Sequence, residues 1–474
     1  MKRKCGYLLF GALSLIGALI VAALFWSAYR DDIGIDSSIL LLEMERIADG
    51  YIPYSTMHLN YPPLWYYMML VLKDIFNIPY GCFDFYLSVN FLFLLLCGFL
   101  VYEISLWYCP KKWVAAFSAW LFVVCSFISG ARNVMFEVPS VMFGLAGLFS
   151  IGKCKDKHPT HFLWIGCLFA AAFLVKQFGL GFAGLGLFML LFSDCREKWK
   201  KILFCATGFL VFVGIFVALF GLQFLNSILF NGYSTHSGIG HSGRIHNLIK
   251  ACSAFVKKMP VVVIAFFLLP AFIQQRKFLS VLLLFLGIAG FSLQFLFLSQ
   301  ASHYYIYMMP FAVLLVPAIA GLELSASEKL ITIASLAATL YLPAEYNTTK
   351  VRIQTNARSV QRHDADRLRT LIDSESTFWI ANTAKVPLYY LLNLKTPNMA
   401  EAGYCVSSLE ISPEKAKMQA ADCDFIICTQ TYSTHWTDNF ITEDEHSAIL
   451  SGKITEFDYL FDRLCVCGSV ELAN

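Results

Sequence analysis

Residues 36–54 read DSSILLLEMERIADGYIPY, and residues 61–70 continue as YPPLWYYMML. This stretch decides the fold because it comes directly after residues 8–28, the first apolar run of membrane-spanning length. Carboxylates held beside a bilayer are costly, so they favour a chemical role. The sequence here predicts a membrane protein with a functional loop after its first span.

The same loop predicts helices that lie on the membrane. Leu40, Met44 and Ile47 recur at i, i+4 and i+7, which predicts an interfacial helix over 36–49 that ends at Gly50. The next segment, 62–76, begins with two prolines and is rich in Trp and Tyr, which favour the interface. We predict a second interfacial helix there, because a crossing would invert every later loop.

Composition extends the membrane assignment to most of the chain. Of 474 residues, 58% are hydrophobic and only 15% charged, whereas a globular domain carries about 25% charged residues. Apolar runs of membrane length predict an α-helical polytopic membrane protein. About eleven spans are expected, at 8–28, 84–107, 113–130, 134–152, 161–175, 178–193, 202–226, 260–275, 278–299, 303–322 and 328–344.

The distribution of basic residues gives the orientation. With a cytoplasmic N-terminus, the predicted inner loops hold fifteen of the 36 Lys and Arg residues, as the positive-inside rule requires. Three segments then lie outside the membrane on the other face: the loops 29–83 and 226–259, and the tail 345–474. The tail predicts a small α/β domain with strands near 377–381, 424–428 and 459–467, separated by helices that favour a parallel sheet.

Charge and cysteine content limit the function classes. The net charge of +3 is too small to indicate nucleic acid as a partner. Fifteen cysteines lie mostly inside apolar runs without metal-binding spacing. The five nearest the end form a looser cluster, Cys405, Cys423, Cys428, Cys465 and Cys467, which allows a disulfide in an extracytoplasmic tail, with the connectivity left open.

Two outer positions carry candidate carboxylates. Asp31, Asp32 and Asp36 lie at the exit of the first span, where a carboxylate can take a proton from an acceptor; the alternative is an ordinary role in solubility and capping. Arg132 and Glu137 lie at the junction of the third and fourth spans. The alternative to a function for this second group is simple mutual neutralisation, although ionisable groups beside a membrane helix favour a function.

The other candidates are cations and aromatic side chains at predicted outer turns. Lys176, beside Gln177, binds a phosphate or merely snorkels to lipid headgroups. His303 precedes an aromatic run that begins with Tyr304 and is suited to lining a sugar. Arg244 lies in a loop with three histidines, whose spacing matches no established metal site.

Four of these places together resemble GT-C glycosyltransferases. They are the loop from Asp36 through Gly50 to Pro62 and Pro63, the junction at 132–139, the turn at 176–177 and the segment 303–310. The resemblance is to the branch of protein O-mannosyltransferases and lipid A aminoarabinose transferases, and it covers roughly 8–322. It implies a GT-C-like transmembrane catalytic domain, 1–344, and an extracytoplasmic α/β domain, 345–474.

The resemblance also assigns roles. It implies that Asp36 is the catalytic base, that Glu137 is the second acidic position, and that Lys176 and His303 lie near the donor. Tyr61 stands where relatives carry a basic residue that contacts lipid phosphate, which shifts this contact toward Lys176 or Arg244. We expect donor-phosphate binding by Lys176, Arg132, His303 and Arg244, and substrate lining by Tyr61, Tyr304, Gln177 and Asp32.

The resemblance therefore implies an inverting glycosyltransferase in the bacterial cytoplasmic membrane. Its partners are a polyprenyl-phosphate sugar donor, a cell-envelope acceptor (glycan, lipid or protein) and the lipid bilayer. No cofactor is expected, and the sequence leaves a divalent cation and the oligomeric state open. The alternative is a transporter or flippase of lipid-linked saccharides, although we find no charge near mid-span, where coupling sites lie. A membrane anchor for the tail is a weaker third hypothesis.

Overall fold

The computed structural model describes most of the apolar part of the chain and a few segments of the tail. The described ranges are 35–55, 59, 61–79, 82–226, 241–296, 302–324, 365–367, 370, 378–380, 424–429, 442–459 and 462–468, with isolated positions between 17 and 26. The chain divides into two compact units. Unit 1 comprises 1–28, 61–65 and 86–353, and unit 2 comprises 29–60, 66–85 and 354–474. The predicted domain boundary at 344/345 lies outside the described residues and stays a prediction.

The helices follow the apolar runs. In chain order they are α1 Ile35–Ala48, α2 Leu64–Ile75, α3 Phe83–Tyr108, α4 Lys112–Ser126, α5 Glu137–Cys154, α6 His161–Val175, α7 Leu180–Leu191, α8 Lys198–Asn226, α9 His241–Lys258, α10 Val261–Phe267, α11 Leu269–Gln274, α12 Phe278–Ser292, α13 Met309–Ala320 and α14 Glu443–Ser451. A π-helical turn, Phe127–Ala131, extends α4, and short 3-10 segments at Gln177–Gly179, Leu293–Leu296 and Ser302–Tyr307 precede or follow other helices.

Several of these helices can cross a bilayer. Within the described ranges, Phe83–Tyr108, Lys112–Ala131, Lys198–Leu225 and Phe278–Leu296 are long and apolar enough, and His161–Val175, Gln177–Leu191 and Met309–Ala320 are shorter apolar helices. The protein is thus a helical, multi-pass membrane protein. The predicted span 260–275 is two short helices, α10 and α11. Span 328–344 and nearly all of 8–28 lie outside the described residues, so the number of eleven stays a prediction.

Two sequence-based assignments of outer segments need correction. The loop predicted over 226–259 contains α9, an 18-residue helix. The first outer loop does contain the two predicted helices, α1 and α2, and Gly50 follows α1 with φ +96°. However, α1 does not present a single apolar stripe: its described residues from 37 to 45 are all buried, polar ones included. It is therefore a helix packed within the protein rather than a helix lying flat on the interface.

The tail contains a four-stranded sheet of order β1-β2-β4-β3. Its strands are β1 Phe378–Ile380, β2 Phe425–Thr429, β3 Lys453–Tyr459 and β4 Asp462–Gly468. Only β1 and β2 pair in parallel, whereas β4 is antiparallel to both β2 and β3. The expectation of a parallel sheet is therefore wrong for the strands described here, because the predicted final strand is a hairpin.

Glycines allow α6 and α8 to pack backbone against backbone. A Cβ at Gly166 would lie 2.0 Å from the carbonyl oxygen of Cys205, and a Cβ at Gly208 would lie 2.0 Å from that of Leu163. Membrane helices associate by such close approach of small residues, since lipid supplies no hydrophobic driving force between them. The rest of α8 is largely exposed, and its helical geometry is interrupted at Gly221, where φ is +73°.

We expect Gly208→Ala to lower the thermal unfolding midpoint of the detergent-solubilised protein, because the new methyl group meets backbone that cannot rotate away. Gly214→Ala is the matched control on the same helix, since its Cβ would have no atom within 4 Å. Replacing Gly by Ala in a helix is otherwise favourable by about 1 kcal/mol. Equal midpoints for the two variants would contradict this account of the helix pair.

Candidate active site

The candidate site is built on the ends of helices in unit 1. Glu137 is the first residue of α5, and Lys176 separates α6 from the 3-10 segment that precedes α7. His303 and Tyr304 lie in the 3-10 segment before α13. Regions distant in sequence thus contribute to one cluster, which the resemblance had indicated only as separate motifs.

An ion pair forms the centre of this cluster. The Nζ atom of Lys176 donates a hydrogen bond to Oε1 of Glu137, and the two side chains are only 2% and 1% exposed. The Nε2 atom of His303 lies 3.8 Å from the same carboxylate oxygen. The snorkelling alternative for Lys176 is therefore wrong, because its ammonium group is buried and paired.

Two tyrosine rings enclose the ammonium group of Lys176. Its Nζ lies 4.6 Å from the ring centroid of Tyr61 and 4.8 Å from that of Tyr304. Such cation–π contacts are favourable by about 0.5–2 kcal/mol, more where water is excluded. Tyr61 itself packs on Phe136, with ring centroids 4.5 Å apart. The cation is thus held by one carboxylate and two π faces.

Backbone geometry explains why Lys176 and Glu137 can meet. Lys176 has extended angles, φ −153° and ψ 133°, which interrupt the helix. Gly179 fits against the carbonyl of Ala172, which lies 2.2 Å from where a Cβ would be. At the other partner, the N-terminus of α5 carries unpaired backbone N–H groups and a partial positive charge, which favours a carboxylate at Glu137.

A close approach of the backbone at Gly130 positions His303. Gly130, in the π-helical turn, has φ +127°, and a Cβ there would lie 2.8 Å from the Cβ of His303. Asn90 braces this turn by donating hydrogen bonds to the carbonyls of Ala131 and Asn133, at 3.1 and 2.8 Å. On the other side, Gln294 donates to the carbonyl of Tyr304 at 3.0 Å.

Sequence reasoning missed Gly130, Asn90 and Gln294. The signal for Asn90 and Gln294 was available, since each is an uncharged polar residue inside an apolar run and polar groups at membrane depth need a partner. For Gly130, nothing in the sequence indicated a turn that must approach another segment closely.

Two buried acceptor atoms near the ion pair have no hydrogen-bond partner within the part of the chain that the structure describes. They are Oε2 of Glu137 and Oε1 of Gln177. Buried polar atoms in proteins are nearly always satisfied. Each of the two atoms is therefore suited to accept a hydrogen bond from a hydroxyl-bearing ligand.

The remaining predicted residues stand outside these contacts. Arg132 follows the π-helical turn and is half-buried; the cationic side chains that the structure shows beside Glu137 are those of Lys176 and His303. Arg244 lies in the first turn of α9. Asp36 is the second residue of α1, in unit 2; its side chain, like all of Asp32, lies outside the described residues. Their assigned roles stay predictions.

Removing one partner of the ion pair should lower the stability of the protein. We expect Lys176→Met and Glu137→Gln each to destabilise the protein by about 3–5 kcal/mol, because each leaves a buried charge without its partner. The double variant should recover most of that loss, as measured by unfolding in detergent as a double-mutant cycle.

The pair of exposed Lys153 and half-buried Glu103, 3.9 Å apart, provides the control for this cycle. Breaking it should cost no more than about 1 kcal/mol. A double variant at 137 and 176 as unstable as the sum of its single variants would show that the two side chains are not coupled.

Comparison with known proteins agrees with this architecture. Residues 60–220, about a third of the chain, match the sequence profile of the dolichyl-phosphate-mannose-protein mannosyltransferase family. No curated protein sequence matches. Among solved structures, ArnT from Cupriavidus metallidurans bound to undecaprenyl phosphate has a TM-score of 0.65 at 12% identity, over 97% of this chain and 98% of that one. The apo state of the same ArnT gives 0.56 at 13% identity, over 99% of both chains.

The matched segment contains Tyr61, Glu137 and Lys176, and the structural likeness extends over nearly the whole chain. The family match covers about a third of the chain, and the likeness to ArnT, at 12% identity, is a likeness of fold.

Proposed function

We propose that this protein transfers a sugar from a polyprenyl-phosphate carrier to a cell-envelope acceptor at the outer face of the bacterial cytoplasmic membrane. In this orientation the N-terminus is cytoplasmic and the C-terminal domain extracytoplasmic. The observation that carries the proposal is the buried pair of Glu137 and Lys176 beside His303, on a GT-C fold. ArnT, which has a similar fold, binds undecaprenyl phosphate.

The proposed reaction inverts the anomeric carbon. An oxygen or nitrogen of the acceptor attacks this carbon, the bond to the phosphate oxygen breaks, and polyprenyl phosphate leaves with the electron pair. Asp36, on the resemblance, takes the proton that the acceptor loses, which is the role of a general base. We propose that no cofactor takes part.

Charge and exposure suggest a division of roles within the cluster. Lys176 is enclosed, so we assign it to orienting Glu137 rather than to direct phosphate contact. His303, with 15% of its side chain exposed, is the more accessible cation when protonated. Oε2 of Glu137 and Oε1 of Gln177, which lack partners among the described atoms, accept hydrogen bonds from sugar hydroxyl groups. Preorganised groups of this kind lower the barrier because they need no rearrangement as charge develops.

The direct test measures undecaprenyl phosphate released by the purified protein in nanodiscs. The donors are a panel of undecaprenyl-phosphate sugars, and the acceptor is an envelope extract. We expect release with at least one donor and a loss of at least about 100-fold in Asp36→Asn, since a general base contributes roughly 10²–10⁴ in rate. Asp49→Asn, which changes a surface carboxylate one residue past α1, should retain activity.

Full activity in Asp36→Asn would remove the proposed base. A wild-type protein that releases no polyprenyl phosphate, but moves lipid-linked sugars across the bilayer, would instead identify a flippase.

The Tyr61 ring should be needed because it holds Lys176. We expect Tyr61→Phe to keep kcat/KM within about threefold of wild type and Tyr61→Ala to lower it by about tenfold, which corresponds to roughly 1.4 kcal/mol of lost cation–π contact. Steady-state kinetics on the active donor provides the measurement. Equal values for the Ala and Phe variants would show that the ring does not contribute.

A further inference from the structure

A buried carboxyl group in unit 2 has no assigned role. Glu43, on α1, is 5% exposed. Its Oε2 accepts a hydrogen bond from the hydroxyl of Tyr66 on α2, while its Oε1 has no hydrogen-bond partner within the described ranges. Burial disfavours the ionised form and raises the pKa of Glu43 to about 8. The neutral form of this carboxyl group therefore predominates at neutral pH.

A buried carboxylate needs a cation beside it, whereas the described neighbours of Glu43 offer hydroxyl groups. Among the residues that the structure describes, the titratable side chains that face it are Tyr66 and Tyr54. Tyr54 is itself buried and has φ +64°, a region that non-glycine residues rarely adopt and that concentrates at functional sites.

A neighbouring carboxylate on the same helix shows the contrast. Glu45 forms an ion pair with Lys73 of α2, and Arg46 pairs with Asp49 at 3.3 Å. The same two helices are thus joined twice, once through Glu45 and Lys73 and once through Glu43 and Tyr66. Burial raises the pKa of both carboxyl groups, but at Glu45 the Lys73 cation opposes this effect, whereas at Glu43 only the hydroxyl of Tyr66 does. Ionisation of Glu43 therefore leaves a buried charge that no described cation balances, and this favours a shift of α1.

The helix that Glu43 fixes also carries Asp36. The two residues are seven positions apart on α1, which is two helical turns or about 10 Å. A shift of α1 that relieves a buried charge at Glu43 would therefore move the backbone of Asp36 as well. A displacement of about 1 Å in a catalytic group can cost a factor of about 100 in rate.

We propose that the neutral carboxyl group of Glu43 is a positioning residue for Asp36, which it holds in place by fixing α1 on Tyr66 of α2. Sugar transfer then requires the protonated form. This inference rests on the proposed function only through the role of Asp36. The anchoring of α1 by Glu43 stands independently of it.

The stability consequence follows from the raised pKa. A Glu carboxyl ordinarily has a pKa of 4.5, whereas the pKa of folded Glu43 is about 8. The stability present below pH 4.5 is therefore lost progressively up to about pH 8. We expect Glu43→Gln, which keeps the shape and an acceptor for Tyr66, to abolish this part of the pH dependence.

The decisive experiment compares wild type, Glu43→Gln and Glu45→Gln by pH–rate profile. Wild-type transfer should fall above about pH 8, the Glu43→Gln variant should keep its activity across that range, and the Glu45→Gln control should fall like wild type. An alkaline fall in Glu43→Gln equal to that of wild type overturns the proposal, as does a folded Glu43→Gln variant without activity at neutral pH.

Hydrogen exchange tests the anchor without any assay of transfer. Above about pH 8, after correction with an unstructured reference peptide, amides of residues 35–48 should exchange at least about tenfold faster in wild type than in Glu43→Gln. Tyr66→Phe should show the faster exchange at all pH values. Equal protection in wild type and Glu43→Gln overturns the anchoring role. A protein that passes this test but transfers no sugar refutes the proposed function alone.

Discussion

One buried ion pair constrains the architecture of unit 1. Lys176 and Glu137 come from a helix break and a helix start, and neither charge is tolerable without the other because both are removed from water. The fold therefore brings the C-terminal end of α6 to the N-terminal end of α5, where the two charges pair. Tyr61 and Tyr304 complete the enclosure of the cation, so the loop before α2 and the segment before α13 become part of the same centre.

The surrounding glycines make these approaches possible. Gly179 lets the chain turn closely after Lys176, and Gly130 lets the π-helical turn pass beside His303. At each position the absence of a side chain allows a close approach, to the backbone of Ala172 at Gly179 and to the Cα and Cβ of His303 at Gly130, and such contacts are rigid. The cluster can therefore hold its groups in fixed positions without the water that would otherwise solvate them, which suits a site where charge moves to a leaving phosphate.

Much of this arrangement was predictable, since hydropathy follows physical length. A helix that crosses hydrocarbon needs a fixed number of apolar residues, and the apolar runs from 84 to 226 therefore agree closely with α3 to α8.

The individual candidates Glu137, Lys176 and His303 were also found, because ionisable groups at the edge of a span are rare. Their pairing was not, since Glu137 and Lys176 are 39 residues apart and nothing local encodes such a contact. The burial of the polar side chains of α1 was not predicted for the same reason: the partner of Glu43 is Tyr66, 23 residues away. The hairpin of β3 and β4 was not predicted, because the sequence Leu460-Phe461 lacks the Asn-Gly or Asp-Gly signal of a tight turn.

The break in α8 has a consequence for the way this helix is seated in lipid. From Lys198 to Phe220 the helix has 23 residues, which span about 34 Å. The hydrocarbon layer is about 30 Å thick. Gly221 therefore falls near the far boundary of that layer when the amino-terminal lysines of α8 sit among the headgroups of the opposite leaflet. Beyond this depth the backbone groups leave the hydrocarbon layer and no longer have to be paired within the helix. The chain can therefore change direction at Gly221 without exposing amide groups to acyl chains.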